Sequence, residues 1–289
     1  MSSIEKAVER LNKSNGPQKN SVAHVKHSPQ IIKEEGEIQN NNVKKGIICH
    51  LNLAELEKQG FLTPESDRSK FAEEYRLLKR PLLMNAKGKG TKTIDRGNLI
   101  MVVSALPGEG KTFTALNLGL SLAMERDTTV LVVDSDVVNP SLTRLLGLQN
   151  EPGLIDVLLN EQIGLGDVIV NTDIPKLSVM PAGQTHVNST ELLASEQMQR
   201  VANELSVRYP DRIVIFDAPP LLVTTEAGVL AHVMGQVLMV VEAGKTPQHV
   251  IIEAITKLEE DKVIGLVLNK SRVSSSGDYY GGYGGYGHQ

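Results

Sequence analysis

With 289 residues, 40% of them hydrophobic and 22% charged, the chain is long enough to bury one large α/β core with an extension. A net charge of -4 argues against nucleic acid as the main partner, because phosphate binding needs a clustered basic surface. Cys49 stands alone, which excludes an intrachain disulfide and points to a reducing, cytoplasmic compartment; no signal peptide opens the sequence, and no apolar run approaches the ~18 residues of a spanning helix.

In chain order, Ile4, Ala7, Val8 and Leu11 form a short apolar stripe at helical spacing, followed by polar filler through about residue 45 that reads as a mobile linker. Residues 1–62 are therefore expected to be a flexible extension. "TPESDRSKFAEEYRLLKRPLLMNAKGKG" opens the main domain, 63–273, with a helix starting at Thr63-Pro64 or Ser66 and an apolar face of Phe71, Tyr75, Leu78 and Leu82. Pro81 should kink or end it.

From Asn98 onward, short β-branched runs alternate with amphipathic stretches. "LIMVVSA", "TTVLVVDSD", "KLSVMPAG", "DRIVIFDAPP", "GQVLMVVEAG" and "KVIGLVLNK" are predicted strands, each apolar on both faces. Predicted helices cover 111–125, 141–147, 153–160, 189–208, 224–233 and 247–260. The alternation implies a three-layer α/β domain with a mostly parallel sheet and right-handed crossovers, whose ligands sit at the carboxyl ends of the strands. Residues 274–289, "SSSGDYYGGYGGYGHQ", are expected to be a disordered tail, and they carry four of the six tyrosines.

After the first of those strands stands Ala105-Leu106-Pro107-Gly108-Glu109-Gly110-Lys111-Thr112, a phosphate-binding loop with alanine in the first glycine position. Glycines there let backbone N–H groups converge on a phosphate, and the following helix adds its positive end. Ala105, Pro107, Gly108, Glu109, Gly110, Lys111, Thr112 and Phe113 are the expected nucleotide contacts, with Lys111 on the outer phosphates and Thr112 on Mg²⁺. Two other strands end in acids: Asp134 and Asp136 in "VLVVDSDVVNP", and Asp217 in "IVIFDAPP". Three carboxylates at strand ends around one loop suggest a Mg²⁺ shell of Thr112, Asp134 and Asp217 with a spare base, Asp134 or Asp136, for an incoming hydroxyl. Asn269, ending "GLVLNK", is placed either to meet the adenine or simply to form a turn.

The loop, "DSD", "FDAPP" and a tyrosine-rich end, in this order, resemble the bacterial tyrosine kinases of polysaccharide export systems. "EEYRLLKRPLL" is similar to that family's pre-kinase helix, and the nearest variant is the tyrosine autokinase linked to the exosortase (PEP-CTERM) system. The resemblance covers about residues 63–289. It implies a P-loop fold, ATP and Mg²⁺, and a protein-tyrosine kinase of the non-specific type that regulates exopolysaccharide synthesis or export. Lys111, Asp134, Asp136 and Asp217 would carry the chemistry. It also implies phosphorylation in trans of Tyr279, Tyr280, Tyr283 and Tyr286 within a ring of subunits, and recruitment to the inner face of the membrane by a chain-length-determinant adaptor.

Two positions depart from the family pattern. Val138 stands where D-x-D-x-R has arginine, and the ring motif E-x-x-R-x-x-R reads Glu73, Arg76, Lys79. Lysine keeps the charge but not the planar fork. The motifs also resemble the ParA/MinD-like ATPase switches, but their signature lysine falls here on Leu106. A nucleotide-binding scaffold with a self-associating tail is a third reading.

Overall fold

A computed structural model describes residues 31–32, 48–63, 69–90, 92–209, 211–259 and 262–271. The expected helix at Ile4–Leu11 and the tyrosine tail lie outside these residues.

The strands are β1 (Ile31–Ile32), β2 (Ile48–Cys49), β3 (Leu99–Ser104), β4 (Thr129–Asp134), β5 (Val170–Thr172), β6 (Leu177–Met180), β7 (Arg212–Asp217), β8 (Gln236–Glu242) and β9 (Val263–Asn269). They form one sheet in the order β1-β2-β5-β6-β4-β7-β3-β8-β9. From β6 to β9 every neighbouring pair is parallel, as the alternation of strands and helices requires. β5 runs antiparallel to β6, β2 parallel to β5, and β1 antiparallel to β2, so the parallel core carries a short mixed edge.

The helices are α1 (Leu53–Lys58), α2 (Lys70–Ala86), α3 (Lys111–Ala123), α4 (Ser141–Leu145), α5 (Leu154–Leu159), α6 (Leu165–Val168), α7 (Ser189–Leu193), α8 (Glu196–Val207), α9 (Glu226–Ala231) and α10 (Gln248–Ile255). They cover both faces of the sheet. Along β3 the side chains alternate between two cores: Leu99, Met101 and Val103 pack with α5, α7 and α8, while Ile100 and Val102 pack with α2 and α3.

Five expectations change. The stretch 189–208 is two helices, because Ser195 caps the second one by accepting from Met198 N. α2 starts at Lys70, capped by Ser69, whose hydroxyl accepts from Ala72 N, rather than at Thr63-Pro64 or Ser66. Pro81 neither ends nor delimits α2; the proline faces solvent while Tyr75, Lys79 and Leu82 hold the opposite face against the core. The boundary at residue 62 also moves: Cys49, Leu51, Leu56, Phe61 and Leu62 are buried in the same cluster as α3, so residues 48–62 belong to the domain core. β9 differs as well, since an edge strand has a partner on one side only: Leu266 and Leu268 are 59% and 65% exposed.

Candidate active site

α2 braces the loop helix through a polar seam. Lys79 is buried, donates to Ser121 O at 2.7 Å and pairs with Glu125 at 2.8 Å, while Asn117 Oδ1 accepts from Leu62 N at 2.7 Å. An aromatic group adds to it: the Phe113 ring lies 4.9 Å from Phe61 and 5.9 Å from Phe71. The Phe113 side chain therefore packs against the pre-helix segment, and any contribution of this residue to a nucleotide site is from its main chain. Within the ring motif, Arg76 pairs with Glu73 at 2.6 Å on the same helix.

The loop is shaped by its own sequence. Gly108 and Gly110 take φ of 81° and 99°, the left-handed region that favours glycine. A Cβ on Gly110 would overlap the Asn269 side-chain amide. Glu109 is buried, and its carboxylate accepts from Leu106 N at 2.7 Å, from the Thr246 hydroxyl and from Glu242 N at 3.4 Å. Asn269 Nδ2 donates to Glu109 O at 2.8 Å and its Oδ1 accepts from Lys270 N at 2.9 Å. The amide thus ties the loop to the end of β9, with one of its two N–H groups engaged.

The acids converge as the strand ends require. Asp134 and Asp217 are register partners on β4 and β7, and Val102 of β3 pairs with Asp217 on its other side. Asp134 Oδ2 accepts from both the backbone N–H and the hydroxyl of Thr143, each at 2.7 Å. Asp134 Oδ1 and both oxygens of Asp217 are buried without an aligned hydrogen bond. Burial first, then the Asp134 carboxylate, pushes Asp217 well above the usual carboxylate range, with Thr112 and Lys111 opposing. Asp134 is raised in the same sense by burial, against the two Thr143 donors. Asp136, 7% exposed, accepts from Asn139 N at 3.1 Å; burial raises it, and Asn139 N, Lys111 and Arg144 offset part of the rise.

Among the described residues no three acidic, histidine or cysteine side chains group as a metal cluster, and the expected shell of Thr112, Asp134 and Asp217 contains only two acids. Thr143 and Asn139 engage one oxygen of Asp134 and of Asp136, so the three carboxylates differ in their partners. The donor set still fits Mg²⁺, which keeps water and phosphate oxygens and takes only one or two protein ligands. The orphaned oxygens of Asp217, beside Thr112, are the observation that fits such an ion.

Three contributors were not singled out from sequence. Glu226 is buried, accepts from the Thr190 hydroxyl at 2.6 Å and lies near enough to raise Asp136. Arg144 holds Asn139 Oδ1 at 2.7 Å and places a guanidinium near Asp136, whereas Val138 is 59% exposed. Lys270 reaches the loop carbonyl of Gly108. None of them stands at a motif spacing, so only the fold brings them in.

Residues 97–262 match the AAA domain family. The chain is 30% identical over 215 residues to the tyrosine-protein kinase YwqD of Bacillus subtilis (strain 168), covering 74% of this chain and 86% of that protein. It is 35% identical over 184 residues to the tyrosine-protein kinase ptk of Acinetobacter johnsonii, covering 63% of this chain and 25% of that longer protein. The kinase domain of the Escherichia coli tyrosine kinase ETK is similar with a TM-score of 0.60 at 25% identity, covering 78% of this chain and 86% of that domain. Fold and site thus define a nucleotide-binding P-loop domain of the AAA type. Within that class the chain belongs to the bacterial tyrosine-protein kinases.

Among the described residues no helix is long and apolar enough to cross a membrane.

Proposed function

We propose that this protein is an ATP- and Mg²⁺-dependent tyrosine autokinase that phosphorylates Tyr279, Tyr280, Tyr283 and Tyr286 of a second copy. The observation that supports it most is the grouping of Lys111, Asp136 and the orphaned Asp217 around one phosphate loop. Thr112 and Asp217 would hold Mg²⁺, which when bound neutralises charge on phosphate oxygens.

The chain's own residues then divide the work. The loop amides and Lys111 bind and orient the outer phosphates, so that catalysis rests on positioning and charge compensation. Asp136 accepts the phenol proton: it retains some exposure, whereas Asp134 is fully buried and held by Thr143. A raised carboxyl is the better base for a phenol whose own pKa is near 10. Asp134 fixes the segment that carries Asp136.

The glycines of the tail give reach, since such segments behave as coils spanning roughly 5–6 Å times the square root of their length. Each added phosphate carries about -1.5 to -2 charges, so full phosphorylation makes neighbouring tails repel and loosens a ring of subunits. A membrane adaptor of the chain-length-determinant kind recruits the kinase to the inner membrane face, and the output is control of exopolysaccharide synthesis and export. "EEYRLLKRPLL" supports placement with the exosortase-linked autokinases.

The test incubates pure protein with Mg-ATP and probes for phosphotyrosine, beside Lys111→Met, Asp136→Asn and a variant with all four tail tyrosines changed to Phe. Signal in the wild type alone supports autokinase activity on the tail. ATP hydrolysis without tail phosphorylation overturns it in favour of a ParA/MinD-like switch. Oligomer mass that stays the same before and after full phosphorylation overturns the loosening of the ring.

A further inference from the structure

The end of β9 reaches across the top of the sheet onto the phosphate loop. Lys270 Nζ donates to Gly108 O at 2.6 Å and to Glu242 Oε2 at 3.1 Å, and Asn269 Nδ2 donates to the next loop carbonyl, Glu109 O. Lys270 holds this position with φ of 57°, a left-handed backbone that a non-glycine residue adopts at a cost, which the surrounding contacts must outweigh. Its anchor is Glu242 at the end of β8, a carboxylate that hydrogen bonding to Lys270 holds below the usual range. The register pairing of Glu242 with Asn269 fixes both ends of the strut.

The peptide plane gives these two bonds a directional consequence. In a trans peptide the C=O of one residue and the N–H of the next point in opposite directions. A cation on Gly108 O therefore turns the Glu109 N–H the other way, and an amide on Glu109 O does the same for the Gly110 N–H. Those are donors that a P-loop aims at phosphate. The Leu106 N–H, by contrast, is taken by the Glu109 carboxylate, which keeps that part of the loop closed in the same shape.

We infer that Lys270, anchored by Glu242, is a positioning residue for nucleotide binding: it holds the Gly108 carbonyl outward so that the phosphate loop is aligned before the ligand arrives. No motif predicts it, because its partners stand 162 and 28 residues away in sequence. The inference rests on the proposed binding of Mg-ATP and adds to it a residue that touches the loop instead of the reacting atoms. Preorganised donors bind without first being ordered, so loss of the strut should weaken affinity more than turnover at saturation.

Lys262 supplies the control. It stands at the opposite end of β9 and likewise ties main-chain carbonyls, His232 O at 3.1 Å and Met234 O at 3.0 Å, far from the loop. The experiment measures the Kd of a fluorescent ATP analogue with Mg²⁺, the KM and kcat of autophosphorylation, and Tm for the full chain, Lys270→Met, Lys270→Arg and Lys262→Met. Lys270→Met is expected to raise Kd and KM at least about tenfold, the scale of one hydrogen bond from a charged donor, with kcat changed much less. Lys270→Arg should recover part of the affinity, and Lys262→Met should lower Tm while leaving Kd within about twofold. Unchanged Kd in Lys270→Met, or an equal loss in Lys262→Met, would overturn the positioning role. Failure of the wild-type chain to bind Mg-ATP overturns the nucleotide reading itself, which separates the two claims.

Discussion

Asp134 and Asp217 are register partners on the adjacent parallel strands β4 and β7, and both are fully buried. Two carboxylates so placed cannot both ionise cheaply, and each is raised above the ordinary range with burial as the first cause. For a group whose folded pKa is raised, stability is fully present below the unfolded value near 4 and is lost as pH rises through the folded value. Asp217→Asn is therefore expected to raise the Tm of the nucleotide-free protein, by an amount that grows from pH 4 to pH 8 and reaches on the order of 5 °C. The same change should abolish phosphotyrosine formation. Thermal unfolding across that pH range checks it, and a variant less stable than wild type at pH 8 would refute the account.

Gly110→Ala tests the loop. The position needs φ of 99°, and a Cβ there meets the Asn269 amide that holds Glu109 O. Nucleotide affinity is expected to fall at least about tenfold, with a loss of roughly 1–2 kcal/mol in stability from the left-handed strain. Titration with a nucleotide analogue and denaturant unfolding give the two numbers; full affinity in the variant would mean that the loop's shape does not depend on Gly110.

Phe61→Ala tests the domain boundary. The ring is 8% exposed and stacks near Phe113, so its truncation should cost about 3–5 kcal/mol if residues 48–62 are core. Urea unfolding reads this directly. A change under about 0.5 kcal/mol, the size of an ordinary surface substitution, would return the segment to the extension.

Lys79→Met addresses the altered ring motif. Its ammonium ties Ser121 O and Glu125 inside one chain, so the substitution is expected to lower stability by roughly 1–3 kcal/mol. Oligomer mass by light scattering should not change, because the group is only 7% accessible in its side chain and has no reach to a neighbour. A smaller oligomer with unaltered Tm would show that Lys79 serves the interface instead.

The six longer strands were legible because each is a run of β-branched and aliphatic residues bounded by polar turns, and the order of motifs placed Asp134, Asp136 and Asp217 at or just past strand ends and Lys111 at the start of the helix after the loop. β1, β2 and β5 were not, since two or three residues carry no periodicity. The break at Ser195 was hidden inside a continuous helical pattern and shows only as a side chain accepting from Met198 N. Cys49 to Leu62 is short and mixes apolar with polar residues, yet Cys49, Leu51, Leu56, Phe61 and Leu62 land in the same core cluster as α3.

Local chemistry, then, was written in the sequence itself: a loop that only glycines at 108 and 110 can turn, acids at the ends of apolar strands, and a tail of tyrosines spaced by glycine. The tertiary structure decided that Asp134 and Asp217 are fully enclosed while Asp136 keeps 7% exposure, because Thr143 and Arg144 on α4 and Glu226 on α9 come from other elements. It also decided that Asn269 and Lys270, at the far end of the domain in sequence, hold the carbonyls of Gly108 and Glu109. The physical reason is the crossover that seats β9 beside β8 at the sheet's edge: contacts of that range are fixed by register and packing, which no local pattern encodes.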